Sequence, residues 1–110
     1  MFDKIFLDND EIKLGYLNIR GLLESNHGEY LDNDNNLLDL DLLVVAETWL
    51  NNEVSNKHLI SKLKNWTVVK RLDATDCMKH MGLLLLHPKS RVGYEDLIYD
   101  MDYTEEKRKQ

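Results

Sequence analysis

The sequence predicts an α/β fold organised around a pair of parallel strands, and three observations carry that expectation. Two apolar runs, Leu14-Gly15-Tyr16-Leu17 and Leu43-Val44-Val45-Ala46, each stop on a single functional group, the Asn18 amide and the Glu47 carboxylate. Apolar runs of this length between turn residues read as buried strands. The 28 residues from 19 to 46 leave room for a helical crossover plus the second strand, and such a crossover makes neighbouring strands parallel. Parallel strands end at the same edge of a sheet, where open α/β folds keep their ligand sites. Asn18 and Glu47 are therefore expected to meet.

Residues 1–11 are acidic and without clear period, so a frayed or weakly paired start is expected. Ile12 to Asn18 forms the first strand, and Gly15 within it points to a close backbone approach or a bulge. Between Leu22 and Leu40 the apolar residues are broken by Ser25-Asn26-His27-Gly28 and by Asp32 to Asn36. That pattern predicts one or two short helical pieces rather than one long helix. A strand follows from Leu42 to Thr48. Val54, His58, Leu59 and Leu63 then recur at helical spacing. Trp66 to Lys70 and Gly82 to Leu86 read as strands, the latter stopped by Pro88. Tyr94 to Tyr103 suits either strand or helix. The division expected is thus a weakly ordered 1–11, a domain over 12–103 and a charged tail over 104–110.

At 110 residues the chain suffices for one ordinary domain and is too short for two. Its 43% hydrophobic and 31% charged content reads as globular, and no apolar run approaches the roughly 20 residues of a membrane helix. The first residues lack a basic stretch and a cleavage site, so no secretory signal is expected. A single Cys77 excludes an internal disulfide and suits a reducing compartment, nucleus or cytoplasm. The net charge of −6 is uneven. Residues 1–54 hold 12 acidic and 3 basic groups, whereas residues 55–91 hold 8 basic and 2 acidic. A basic middle beside an acidic end suits a polyphosphate grip next to a cation site. The same lysines describe a solvated face equally well.

Asn18-Ile19-Arg20-Gly21-Leu22, Ala46-Glu47-Thr48-Trp49-Leu50 and Met81-Gly82-Leu83-Leu84-Leu85-Leu86-His87-Pro88-Lys89-Ser90 together carry a resemblance. Over roughly residues 12–90 the chain resembles the N-terminal part of the endonuclease/exonuclease/phosphatase superfamily. It is most similar to endonuclease domains of mobile elements, such as non-LTR retrotransposons and Helitron-like transposons. The Glu-Thr after a hydrophobic strand is the most specific piece. The third segment departs from the pattern, since Met81 precedes a single Gly82 where the family often has two or three glycines. The resemblance implies a partial four-layer α/β sandwich, Mg²⁺ (or Mn²⁺) as cofactor and DNA as substrate of the completed domain. It implies that Glu47 binds the metal and that Asn18 helps position metal and phosphate, the two forming the catalytic pair. Arg20 would reach the phosphodiester as a substrate-binding residue. The family's later Gly-Asp-Phe-Asn-like and Ser-Asp-His-like turns, which activate water and hold phosphate, do not occur in this sequence. The resemblance therefore implies a fragment, inactive or nearly so by itself, and uncovered sheet surfaces that self-associate.

From spacing alone, a solvent-exposed Glu at a strand end is the commoner reading of Glu47, and the resemblance reverses that order. One carboxylate is nonetheless chemically sufficient, because Mg²⁺ is held by one or two carboxylates with water and phosphate completing its shell. Asn18 by itself reads as a turn former near Gly21, and Arg20 as an ordinary surface arginine. Other patterns fail on inspection. Asp32, Asp34 and Asn36 begin like an EF-hand loop, but Leu37 and Leu43 stand where Gly and Glu are required. Cys77 and His80 lack a second ligand pair for zinc. The rival expectations are a non-catalytic α/β interaction module and a phosphatase-type relative.

Overall fold

The computed structural model describes residues 3–8 and 12–90. The ambiguous stretch Tyr94 to Tyr103 and the expected tail over 104–110 lie outside these residues. In chain order the elements are β1 (Asp3–Asp8), β2 (Lys13–Asn18), α1 (His27–Asn33) and α2 (Asn35–Leu38), then β3 (Leu42–Ala46), α3 (Asn56–Lys62), β4 (Trp66–Leu72) and β5 (Leu83–Pro88). They make one mixed five-stranded sheet of order β1-β2-β3-β5-β4 with a few short helices. β2 and β3 are parallel, and the other three pairings are antiparallel.

Alternation along the strands decides which side is covered. Leu17 lies opposite Val45, Val45 opposite Leu84, and Leu43 opposite Leu86, and all five side chains are buried. They face Leu31, Leu37, Leu59, Leu63 and Trp66, which the helices and the start of β4 bring onto the same side. The alternate positions point the other way. Ile5 on β1, Val44 on β3 and Leu83 on β5 remain exposed. A groove of about 500 Å³ crosses that outer face, lined by Ile5, Leu7, Leu14, Tyr16, Val44 and Leu85 among others. One face is a core; among the described residues, nothing covers the other.

Short polar side chains set the ends of the elements. Asp34 accepts the Asn36 and Leu37 amides at 2.9 and 3.1 Å and so starts α2, and Ser55 accepts the His58 amide at 3.0 Å to start α3. Asp32, the first residue of the EF-hand-like stretch, is buried and accepts the Asn65 amide at 2.8 Å, tying α1 to the turn before β4. Trp66 Nε1 donates to Leu31 O at 3.1 Å across the same junction. Gly15 faces Leu40 on the covered side, where a β-carbon would overlap the leucine. Of the two readings of Gly15, close approach is the one the fold uses.

Four expectations need correction. Residues 3–8, expected to be weakly paired, form a six-residue strand in full antiparallel register with β2. β1 is an edge strand with acidic ends, so its alternation of Lys4 and Phe6 against Ile5 and Leu7 is too short to register as a period. β3 ends at Ala46 rather than Thr48, because Glu47 leaves the extended region with φ 53°. β4 runs on to Leu72 through an irregularity between Val68 and Lys70, which lengthens it past the expected Lys70. β5 begins one residue late and includes Pro88, which pairs with Trp66 as the last residue of the strand. Among the described residues, no helix is long and apolar enough to cross a membrane.

Candidate functional site

The register of the sheet brings Asp3, Asn18, Ala46, Leu83 and Leu72 to one edge, at the C-terminal ends of the parallel pair. The parallel ladder continues past the strands. Ile19 N donates to Ala46 O at 3.0 Å, Gly21 N to Glu47 O at 2.8 Å and Leu22 N to Thr48 O at 2.9 Å. These bonds hold the two motif segments, 18–22 and 46–50, side by side.

Within that frame Asn18 Nδ2 donates a hydrogen bond to Glu47 Oε2, and both side chains are half-buried. The other end of the same amide is also engaged. Asn18 Oδ1 accepts the Arg20 backbone N–H at 3.2 Å. The amide is thus oriented by two partners, with its NH₂ turned to the carboxylate. The guanidinium of Arg20 donates to Asp3 Oδ2 at 3.1 Å, an exposed pair that draws the start of β1 to the same edge. The three residues singled out from sequence therefore stand together, Arg20 being joined to Asn18 through its backbone and to Asp3 through its side chain.

The backbone here is unusual. Arg20, Glu47 and Trp49 all occupy the left-handed region, with φ of 50°, 53° and 58°. Non-glycine residues in that region cost about 1–2 kcal/mol each and persist where surrounding bonds over-determine them. The bonds from Gly21 and Leu22 to Glu47 and Thr48 do so on one side. Trp49 N donating to Met81 O at 2.8 Å does so on the other. Gly82 lies alongside with φ 110°, and a β-carbon there would overlap Thr48 Oγ1. Positive φ and this crowding together make glycine the residue that fits just before β5.

The fit of a cation to these donors is limited and definite. Among the described residues no three His, Cys, Asp or Glu side chains converge. Glu47 offers one carboxylate at the edge, with Asn18 occupied as its orienting partner. One carboxylate is the smallest protein share that a hard cation accepts, the rest of its shell being water and phosphate. Such a donor set does not match a structural zinc, which needs four protein ligands.

Among the described residues, most basic groups of the middle stretch lie away from this edge, Lys79 being the one next to His80. Arg71 is consumed internally: it bonds Asp73 through Nε at 2.6 Å and Nη2 at 3.0 Å, and also Asn56 Oδ1, Asn51 O and Val54 O. Lys64 and Lys89 sit at the opposite edge, where Lys89 N donates to Asn65 O at 3.0 Å. Among the described residues the lysines of this stretch are exposed, and Arg71 is an internal clamp. A polar cleft of about 680 Å³ between α1 and α3, with Glu29, His58 and Lys62 on its walls, includes neither Asn18 nor Glu47.

One group read from the sequence only as an incomplete zinc partner of Cys77 stands close to this edge. The His80 ring centroid lies 4.3 Å from that of Trp49. The spacing of His80 from Cys77 suggested only an incomplete zinc pair, and nothing in the sequence placed His80 beside Trp49. Comparison with protein-family models, with curated proteins and with solved structures returned no match to this chain.

Proposed function

We propose that this chain carries one half of a divalent-cation-dependent phosphodiester-cleaving centre of the endonuclease/exonuclease/phosphatase type, with DNA as the substrate of the completed domain. The observation that carries the proposal is the Asn18–Glu47 hydrogen bond at the shared edge of two parallel strands. In this reading Glu47 holds Mg²⁺ (or Mn²⁺) through its carboxylate. Asn18 fixes the rotamer of that carboxylate, and the Arg20 backbone prevents the amide from turning over. A divalent cation bound there supplies positive charge to phosphate oxygens and to the leaving oxygen. The Arg20 side chain contacts the phosphodiester once it parts from Asp3; that exchange is cheap because exposed ion pairs contribute only about 0–1 kcal/mol.

The outer face, uncovered among the described residues, supports the partial-sandwich form of this reading. The Asn18 side chain projects from that face, since Tyr16 and Leu14 precede it at two-residue steps and line the groove. A second sheet stacked there, completing a four-layer sandwich, would bring further groups over Glu47. No water-activating Ser-Asp-His turn occurs in the sequence, so the chain by itself is expected to cleave DNA not at all or barely. The same exposed apolar groove favours the second reading, a non-catalytic interaction module that works by covering this face with a partner or with itself.

Thermal denaturation in rising MgCl₂ separates the two. A ligand that binds only the folded chain raises its stability. The nuclease reading expects a rise in Tm for the parent chain and none for Glu47→Gln, with no nicking of supercoiled plasmid by either. Equal responses of parent and variant would leave the interaction module standing.

A further inference from the structure

The β4–β5 connection delivers an exposed imidazole to the edge that carries Asn18 and Glu47. The His80 and Trp49 rings are tilted by 34° with centroids 4.3 Å apart. Backbone bonds hold the two segments together, from Trp49 N to Met81 O at 2.8 Å and from Ala74 N to Leu50 O at 2.8 Å. On the far side, the Trp49 ring lies against Gly21, where a β-carbon would strike its Cε3 and Cζ3 atoms. Trp49 is therefore filled in between Gly21 and His80, and His80 forms the outer ring of a two-ring stack. Its neighbours Lys79 and Met81 are exposed as well. Trp49 keeps a costly backbone conformation, φ 58°, while its side chain is half-buried and its Nε1 is enclosed without a hydrogen-bond partner among the described residues.

We propose that the His80–Trp49 stack is a docking platform for a nucleobase of single-stranded nucleic acid, beside the Glu47 carboxylate. The proposal rests on the phosphodiester reading of this edge and names how its substrate is gripped. Aromatic rings bind bases of any sequence through their π-faces, and a nearby lysine follows the backbone. A paired duplex hides those faces in its own stack, whereas an unpaired strand offers them. Lys79 supplies a positive charge at the adjacent position.

The test uses the full chain in EDTA, so that no cation contributes. Binding of a short oligothymidylate is compared with that of an abasic oligonucleotide of equal length, followed by tryptophan fluorescence. Trp66 is 1% exposed and serves as a constant background, so changes report on Trp49. The expected result is roughly tenfold tighter binding of the oligothymidylate, with quenching, within the range that one stacked base is worth. His80→Ala is expected to abolish the preference, and His80→Phe, which keeps a stacking ring, to retain it. Equal affinity for the two oligonucleotides, or an unchanged preference in His80→Ala, would overturn the proposal. Glu47→Gln is expected to keep the base preference, so the cation site and the stacking platform fail or stand separately.

Discussion

Asn18 and Glu47 lie at the ends of neighbouring parallel strands, and the amide of one donates to the carboxylate of the other while its carbonyl oxygen accepts the Arg20 N–H. The amide cannot reverse without losing both bonds. Replacing it by a carboxylate sets two acceptors against each other. Asn18→Asp is therefore expected to lower stability by about 1 kcal/mol without metal and to raise Mn²⁺ affinity about tenfold, since ligand charge tunes cation affinity by decades. Chemical denaturation with and without MnCl₂ reads both effects. An Asp variant that loses stability and gains no affinity would remove the cation from this edge.

The junction between α1 and β4 depends on one buried carboxylate. Asp32 accepts the Asn65 amide at 2.8 Å, and Asn65 Nδ2 returns a bond to Asp32 O at 2.8 Å. Asp32→Ala leaves a half-buried N–H without its acceptor, and the loss is expected to be about 1–3 kcal/mol. A shift of the urea midpoint at unchanged slope would show it.

Much of this arrangement was legible beforehand because it is written in local runs. Leu14–Asn18 and Leu43–Ala46 announce themselves by apolar continuity, and the 28 residues between Asn18 and Glu47 require a crossover. The parallel pairing and the meeting of Asn18 with Glu47 follow. What stayed hidden depends on partners far away in sequence. β1 exists because β2 offers it an edge, not because its own residues insist on a strand. Arg71, counted among the surface basics, turns inward because Asn51, Val54 and Asn56 converge on it. His80 reaches Trp49 through a bond made by Met81, which no spacing rule announces. The resemblance to a nuclease family speaks to motifs; the sheet itself shows mixed α/β architecture.

Gly82 is the glycine whose replacement should matter most. Its φ of 110° disfavours any β-carbon, and Thr48 Oγ1 occupies the space such a carbon would need. Gly82→Ala is expected to cost about 1–3 kcal/mol and to lower Tm accordingly. Because Thr48 follows Glu47, the same variant should weaken Mg²⁺-dependent stabilisation.

β1 should loosen at alkaline pH. Lys4 donates to Tyr30 Oη at 2.6 Å and lies 4.0 Å from Asp34, and the Tyr30 hydrogen bond raises its pKa above 10.5 against a smaller lowering by burial. A raised folded pKa means that this stabilisation is full below the unfolded value of 10.5 and is lost as pH climbs through the folded value. Circular dichroism of Lys4→Met should therefore show a shallower loss of stability above pH 10.5 than the parent. Identical alkaline profiles would dissociate Lys4 from β1 docking.

The outer face should drive concentration-dependent association. Ile5 and Leu7 are 59% and 63% exposed beside Val44, on the edge strand β1, which pairs only with β2 among the described residues. Exposed apolar faces and open edges both promote self-pairing. Light scattering is expected to rise with concentration for the parent and to flatten for Leu7→Lys combined with Val44→Lys. A parent chain that stays monomeric would show that the groove is no adhesive surface.

Glu47, oriented by Asn18, is the proposed cation ligand, and paramagnetic broadening of amide resonances by Mn²⁺ reports on it directly. Broadening is expected to centre on residues 18–20 and 46–48 in the parent chain and to be lost in Glu47→Gln, with weak affinity because most of the shell is water. Broadening centred elsewhere, for instance on the Asp34–Asp39 stretch, or persisting unchanged in Glu47→Gln, would contradict it.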